Sequence, residues 1–130
     1  ELEHFEKILY FLKAKGIELE ALQPPPYGSE LAKNIRKNEP LRMLDSFLVA
    51  GIIEARSHER LSLLALNSKD NSSRDLYNSL LESEARHFGV YWKLAQEKFS
   101  KKEVFKRLNE LAQKESEILS ETFPLPRIHS

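Results

Sequence analysis

Two long runs of helical periodicity, separated by one short polar cluster, constrain this chain more than anything else in it. The first is LRMLDSFLVAGIIEARSHERLSLLAL, entered through Pro40. The second is RDLYNSLLESEARHFGVYWKLAQEKF, ending near Ser100. Between them lies NSKDNSS, a turn sequence in which Ser72 or Ser73 can cap the second helix. Apolar residues at 3,4 spacing over that length demand a neighbouring apolar surface, and a turn this short makes the two helices antiparallel neighbours. No stretch alternates with a period of two, so the fold class expected is all-α.

The remaining segments fit a bundle. Residues 1–15 form an amphipathic helix with Leu2, Phe5, Ile8, Leu9 and Leu12 in helical register, stopped by Gly16. Pro24, Pro25 and Pro26 impose an extended connection, and a short helix is expected from Ser29 to about Lys37. KKEVFKRLNELAQKESEILSETF supplies a further amphipathic helix, closed by Pro124 and Pro126, before an extended tail. The expected organisation is one domain over residues 1–130.

Composition removes whole classes of function. The 20 basic and 20 acidic side chains balance, which excludes a strongly basic, unspecific nucleic-acid binder but not a local basic patch. With no cysteine there is no disulfide framework, zinc finger or thiol chemistry. The longest apolar stretch, FLVAGII, is too short to span a bilayer. A cytoplasmic protein with no membrane partner is therefore expected.

The informative residues are polar ones on apolar faces. Leu44, Phe47, Gly51, Glu54, His58, Leu61 and Ala65 share one stripe of the first long helix. Tyr77, Leu80, Glu84, His87, Tyr91 and Leu94 share one stripe of the second, and Glu1, His4, Ile8 and Phe11 repeat the pattern at the start of the chain. An ionised carboxylate in an apolar seam costs several kcal/mol unless it is paired or binds a cation. Glu-x-x-His aims two ligands at one metal from a rigid element, and it occurs twice, at Glu1/His4 and Glu84/His87. Glu54 precedes Glu84 by 30 residues, the spacing that brings two positions level across an antiparallel helix pair with a tight turn. Glu-x-x-His alone is a weak signal, because Glu is abundant in this chain. The bland alternative is a frayed Glu1, a Glu84 paired with Arg, and core histidines. His58 reads as a supporting or structural histidine and His129 as a solvent-facing one. Glu115, with no His beside it, reads as a salt-bridge partner.

IIEARSHERLSLLA, SLLESEARHFGVYWKLA and the opening ELEHFEKIL resemble the bacterial tRNA hydroxylase family of the MiaE type. The likeness continues through PPPY, NEPLRMLDSFLVAGIIEARS and the closing PRIHS, so it covers nearly the whole chain. The resemblance implies a ferritin-like up-down helical bundle with one additional C-terminal helix. It also implies a non-haem diiron monooxygenase that uses O2 and an external electron donor. The family's substrate is the isopentenyl group of 2-methylthio-N6-isopentenyladenosine beside the tRNA anticodon. Carried over by position, the metal ligands would be Glu1, His4, Glu54, Glu84 and His87. Glu1 and Glu84 would bridge two iron ions and Glu54 would be terminal. The implied partners are the tRNA anticodon loop and an electron-transfer reductase. The family pattern has a further Glu on a helix preceding ELEHF, so the chain is expected to lack the bundle's first helix.

Phe47, Ile8 and Leu80 are candidates for lining a prenyl pocket. The basic stretches KNIRK, residues 33–37, and KFSKKEVFKR, residues 98–107, are candidates for RNA contact. Two alternatives remain open at this point: a ferritin-like iron-storage protein without substrate turnover, and a purely structural helical bundle.

Overall fold

In the computed structural model, which describes residues 1–129, the chain forms five helices: α1 (Leu2–Ala14), α2 (Tyr27–Ala32), α3 (Leu41–Asn67), α4 (Asn71–Lys98) and α5 (Lys101–Ser120). Among the described residues there is no strand. The 27-residue α3 and 28-residue α4 form the expected antiparallel hairpin and pack against each other along their length. Gly51 lets them approach. A Cβ there would stand 3.6 Å from Tyr91 Cβ and 3.7 Å from the Phe88 ring.

The core gathers at one end of this hairpin. Leu44, Leu48, Val49 and Ile52 of α3 meet Ala95 of α4, Val104 and Leu111 of α5, and Tyr27 and Leu31 of α2. Within that apolar cluster sits Asp45, fully buried. Its carboxylate accepts hydrogen bonds from the Arg36 guanidinium and backbone N–H and from the Arg107 guanidinium, at 2.6–2.9 Å. Arg107 also donates to the Asn34 carbonyl (2.7 Å), which fastens α5 to the segment after α2. Burial would raise the Asp45 pKa, but the two guanidinium groups outweigh it and hold the carboxyl at about 2.

Helix ends depart from the expectation in instructive ways. α1 stops at Gly16 as predicted. Its φ of +68° completes a Schellman closure, with Gly16 N–H on Lys13 O (3.1 Å) and Ile17 N–H on Leu12 O (2.9 Å). α4 is capped by Asp70 rather than by Ser72 or Ser73. Its carboxylate accepts from Ser73 N–H (3.0 Å), and the two serine hydroxyls bind the same oxygen. α2 starts at Tyr27, behind Pro26, and ends at Ala32. The Ser29 hydroxyl donates to Pro26 O (2.8 Å), so it does not serve as the N-cap. Pro40 occupies the N-cap position of α3 instead of its first turn. α5 opens with a capping box between Ser100 and Glu103 and ends at Ser120, three residues short of the predicted end.

The tail corrects a second expectation. His129 does not face solvent. It is half-buried, stacked on Tyr27 with ring centroids 4.8 Å apart and planes at 4°, and its Nε2 lies 3.1 Å from Ser57 Oγ. Beneath it, the Tyr27 hydroxyl donates to Glu115 (2.9 Å), and Arg56 clamps both Glu115 oxygens at 2.9 and 3.0 Å. Glu115 is thus the salt-bridge partner the sequence indicated. Among the described helices α1 packs only on α4, and its apolar stripe stays open, with Leu2 73% and Phe5 49% exposed. No helix is long and apolar enough to cross a membrane.

Candidate metal centre

Three helices converge on one point. Glu1 at the start of α1, Glu54 in the middle of α3, and Glu84 and His87 one turn apart on α4 place one ligand atom each within 4.8 Å of one another. Helical geometry does this: Glu84 and His87 share a face, and the tight α3–α4 turn brings Glu54 level with them. His87 Nδ1 lies 3.2 Å from Glu1 Oε1 and 3.4 Å from Glu54 Oε2.

His4 flanks the cluster on the Glu84 side. Its Nδ1 is 3.2 Å from Glu84 Oε1 and 3.6 Å from Glu1 Oε1, and the His4 and His87 rings are 5.6 Å apart. The other nitrogen, Nε2, lies 2.6 Å from Ser83 Oγ. That hydroxyl also lies 2.9 Å from the Leu80 carbonyl; when it donates there it accepts from a His4 proton on Nε2, which leaves the Nδ1 lone pair toward the carboxylates. Ser83 is a site residue that periodicity alone did not single out. The available signal was a small polar side chain four residues before His87, on the same face of α4.

The electrostatics are those of a site awaiting positive charge. Glu84 is buried, and its carboxyl is pushed up to about 7. Burial is the main cause, followed by the hydrogen bond and charge of Glu54 and the charge of Glu1, with His4 opposing them. Among the described residues no Lys or Arg pairs with Glu1, Glu54 or Glu84. Carboxylate oxygens with imidazole nitrogens form a donor set suited to iron, and gathered carboxylates can bridge two cations. The residues present therefore fit a metal pair.

A recess of about 220 Å³ opens beside the cluster, lined by Glu1, Glu54, His87, Val90 and Tyr91. Phe47, Ile8 and Leu80 do not line it. Phe47 faces a separate small cavity with Phe88 and Trp92, Leu80 is buried, and Ile8 lies on the open face of α1. His58, on the same stripe as Glu54, is half-buried and stands outside the cluster.

Comparison with known proteins shows the family. The family model described as tRNA-(MS[2]IO[6]A)-hydroxylase (MiaE) matches residues 1–130. A Pseudomonas putida protein named tRNA 2-(methylsulfanyl)-N(6)-isopentenyladenosine(37) hydroxylase is 39% identical over 95 residues, 73% of this chain and 46% of that protein. A Salmonella typhimurium protein of the same name is 32% identical over 130 residues, all of this chain and 47% of the relative. The chain thus spans about half the length of the curated relatives it matches. Among solved structures, "Protein 43 with aldehyde deformylating oxygenase activity from Synechococcus" superposes with a TM-score of 0.95 at 53% identity, over 99% of this chain and 66% of that one. The ferritin-like helical bundle is the fold observed. With a family match over its whole length and a carboxylate–histidine cluster at the heart of its bundle, the chain belongs to the MiaE family of tRNA hydroxylases.

Proposed function

We propose that this chain carries the diiron centre of an O2-dependent monooxygenase that hydroxylates the isopentenyl group of 2-methylthio-N6-isopentenyladenosine next to the tRNA anticodon. The observation that carries the reading is the convergence of Glu1, Glu54, Glu84 and His87, in a member of this family. The overall reaction takes substrate, O2, two electrons and two protons to the alcohol and water, so an external electron donor, a reductase, is required. Two iron ions would supply O2 activation strong enough to oxidise an allylic C–H bond.

The chain's own residues do the rest. In this reading Glu1 and Glu84 would be the carboxylates shared between the two irons, and Glu54 would serve one of them. His4 Nδ1 lies beside Glu84 and Glu1, and His87 Nδ1 beside Glu1 and Glu54, so each histidine would serve one side of the carboxylate cluster. Ser83 fixes the His4 tautomer so that a lone pair, not an N–H, meets the cation. A bound cation would favour the ionised form of Glu84, whose carboxyl burial pushes up in the metal-free protein. Val90 and Tyr91 give the recess an apolar wall against which a prenyl group can rest. The family's function also points to the cytoplasm, where tRNA is modified.

A second reading is favoured by the 53% identity to the Synechococcus protein, whose title names an aldehyde deformylating oxygenase activity. The same centre would then act on an aldehyde. An iron-storage role without turnover is not favoured by the named relatives. One experiment separates the readings. The iron-reconstituted protein, expected to hold about two irons per chain, is given O2 and a chemical reductant. One reaction contains tRNA bearing the prenylated nucleoside and the other a fatty aldehyde. Hydroxylated nucleoside in the first supports the proposal. Formate release in the second, with unchanged nucleoside in the first, overturns it.

A further inference from the structure

The two basic stretches of the sequence have different fates in the fold. In residues 33–37, Lys33 is paired with Glu30 (2.6 Å) and Arg36 is spent on buried Asp45 (2.6 Å). Lys37 alone of its basic residues is exposed without an ion-pair partner among the described residues. At the junction of α4 and α5, by contrast, Lys98, Lys101, Lys102 and Lys106 are all exposed, and none has an ion-pair partner among the described residues. The acids nearby are committed elsewhere: Glu97 faces Lys93 (3.9 Å), Glu103 closes the α5 capping box, and Glu110 pairs with Arg107 (2.8 Å). Of the basic residues in 98–107, only Arg107 is tied to the buried network, through Asp45.

In the middle of these lysines stands Phe105, 50% exposed. It lies four residues from Lys101, three from Lys102 and beside Lys106, so all share one side of α5. The ring is not loose. Trp92 of α4 meets it edge-on, with centroids 5.2 Å apart and planes at 80°, and Phe88 in turn stacks near Trp92 (6.4 Å, 19°). Phe88 follows His87 in sequence, so this row of rings runs from the metal cluster to the α4–α5 corner. A braced, half-open aromatic ring inside a cluster of unpaired lysines is the chemistry that receives an unstacked base and its flanking phosphates.

We propose that the α4–α5 corner, with Phe105 as a stacking platform and Lys98, Lys101, Lys102 and Lys106 as phosphate contacts, docks the single-stranded loop of an RNA. The inference rests on the reading of this chain as part of a tRNA-acting enzyme and names the surface that would hold the tRNA. Lysines supply affinity without sequence preference, and the ring selects unpaired bases over duplex.

The chain's single tryptophan, Trp92, is a built-in reporter. The iron-loaded protein is titrated with an unmodified stem-loop RNA the size of an anticodon arm, following Trp92 emission and the anisotropy of labelled RNA. Emission should be quenched on binding, and a blunt duplex should compete poorly. Phe105→Ala should weaken binding about 10-fold. The triple variant K101A/K102A/K106A should lower the slope of log affinity against log salt by about 2. Iron content should match the parent in both variants, and thermal melting should match in the lysine variant and fall only slightly in Phe105→Ala, which loses its contact with Trp92. RNA affinity unchanged in either variant overturns the proposal. So does loss of binding to an acidic electron-transfer protein with RNA affinity intact, which would assign the lysines to that partner. If patch-dependent RNA binding persists but no nucleoside is hydroxylated, this surface stands and the hydroxylase reading falls. If hydroxylation proceeds with the same KM for tRNA in the variants, only the surface falls.

Discussion

His4 Nδ1, on α1, lies 3.2 Å from Oε1 of Glu84, on α4, and the opposite nitrogen of the same ring is held by Ser83 at 2.6 Å. The relationship links two residues that are 80 positions apart and share no secondary element. It makes Ser83 a positioning residue for His4, the ligand proposed above. Ser83→Ala should lower iron affinity about 10- to 100-fold while leaving the helical content unchanged. Ser83→Thr, which restores a hydroxyl, should recover much of the loss. Competition with a chelator of known affinity reads the difference, and unchanged iron affinity in the alanine variant would sink the assignment.

The raised Glu84 carboxyl has a consequence for the metal-free protein. Its folded pKa, about 7, exceeds the unfolded value of 4.5, so between those values the folded state binds more protons than the unfolded one. Stability must then fall as pH rises through that window and level off above it. The full effect is roughly 2–3 kcal/mol. Urea melts of chelator-treated protein at pH 5 and pH 8 should show it, with the lower pH more stable. Glu84→Gln should flatten the dependence, and iron loading should reverse it, because bound cations favour the ionised site. A flat metal-free profile would contradict the burial and crowding seen at Glu84.

The candidate ligands are visible in the sequence and much of what surrounds them is not, because of what each residue violates. Glu54, Glu84 and His87 break an apolar stripe, and such a break is readable from spacing alone. Asp45 breaks one too, between Leu41 and Leu48, but its reason lies in Arg36 and Arg107, and the latter is 62 positions away. The Tyr27–Glu115–Arg56 triad likewise joins α2, α5 and α3. Spacing marks the exception on a helix face; only the fold shows the partner. The start of α2 was misplaced for a local reason. Ser29 has cap chemistry, yet the chain leaving three consecutive prolines already turns helical at Pro26, so the serine falls inside the first turn. His129 lies beyond the last proline in a short tail without periodicity, which carries no sign of the ring it stacks on.

Asp45 should be among the costliest single replacements. Asp45→Asn keeps the volume but removes the charge that two guanidinium groups share, and a buried charge network broken on one side costs about 3 kcal/mol. The same network shapes acid unfolding. The carboxyl is depressed from 3.8 to about 2, so its stabilisation is complete above pH 4 and is lost as pH falls through 2. Acid titration of the parent and of D45N, followed by circular dichroism, should differ in that window and converge below it. Equal urea midpoints for the two proteins at pH 7 would refute the argument.

The docked tail should respond to pH in the opposite sense from Glu84. Burial lowers the His129 pKa, and the nearby charges of Arg60 and Arg56 add to the effect, with Glu115 opposing. The folded ring therefore binds fewer protons than the free imidazole, whose pKa is 6.5. The contribution of the tail to stability is complete above that value and declines as pH falls below it. Protonation also sets a cation against Arg56 and Arg60 and weakens the stack on Tyr27. Limited proteolysis after Arg127 should accelerate when the pH is lowered from 7.5 to 5.5. His129→Phe keeps a ring to stack on Tyr27 (4.8 Å in the parent) but cannot gain charge, so cleavage should become nearly independent of pH. His129→Ala, with neither ring nor charge, should be cleaved quickly at both values. Equal pH sensitivity in the parent and the phenylalanine variant would assign the response to another group.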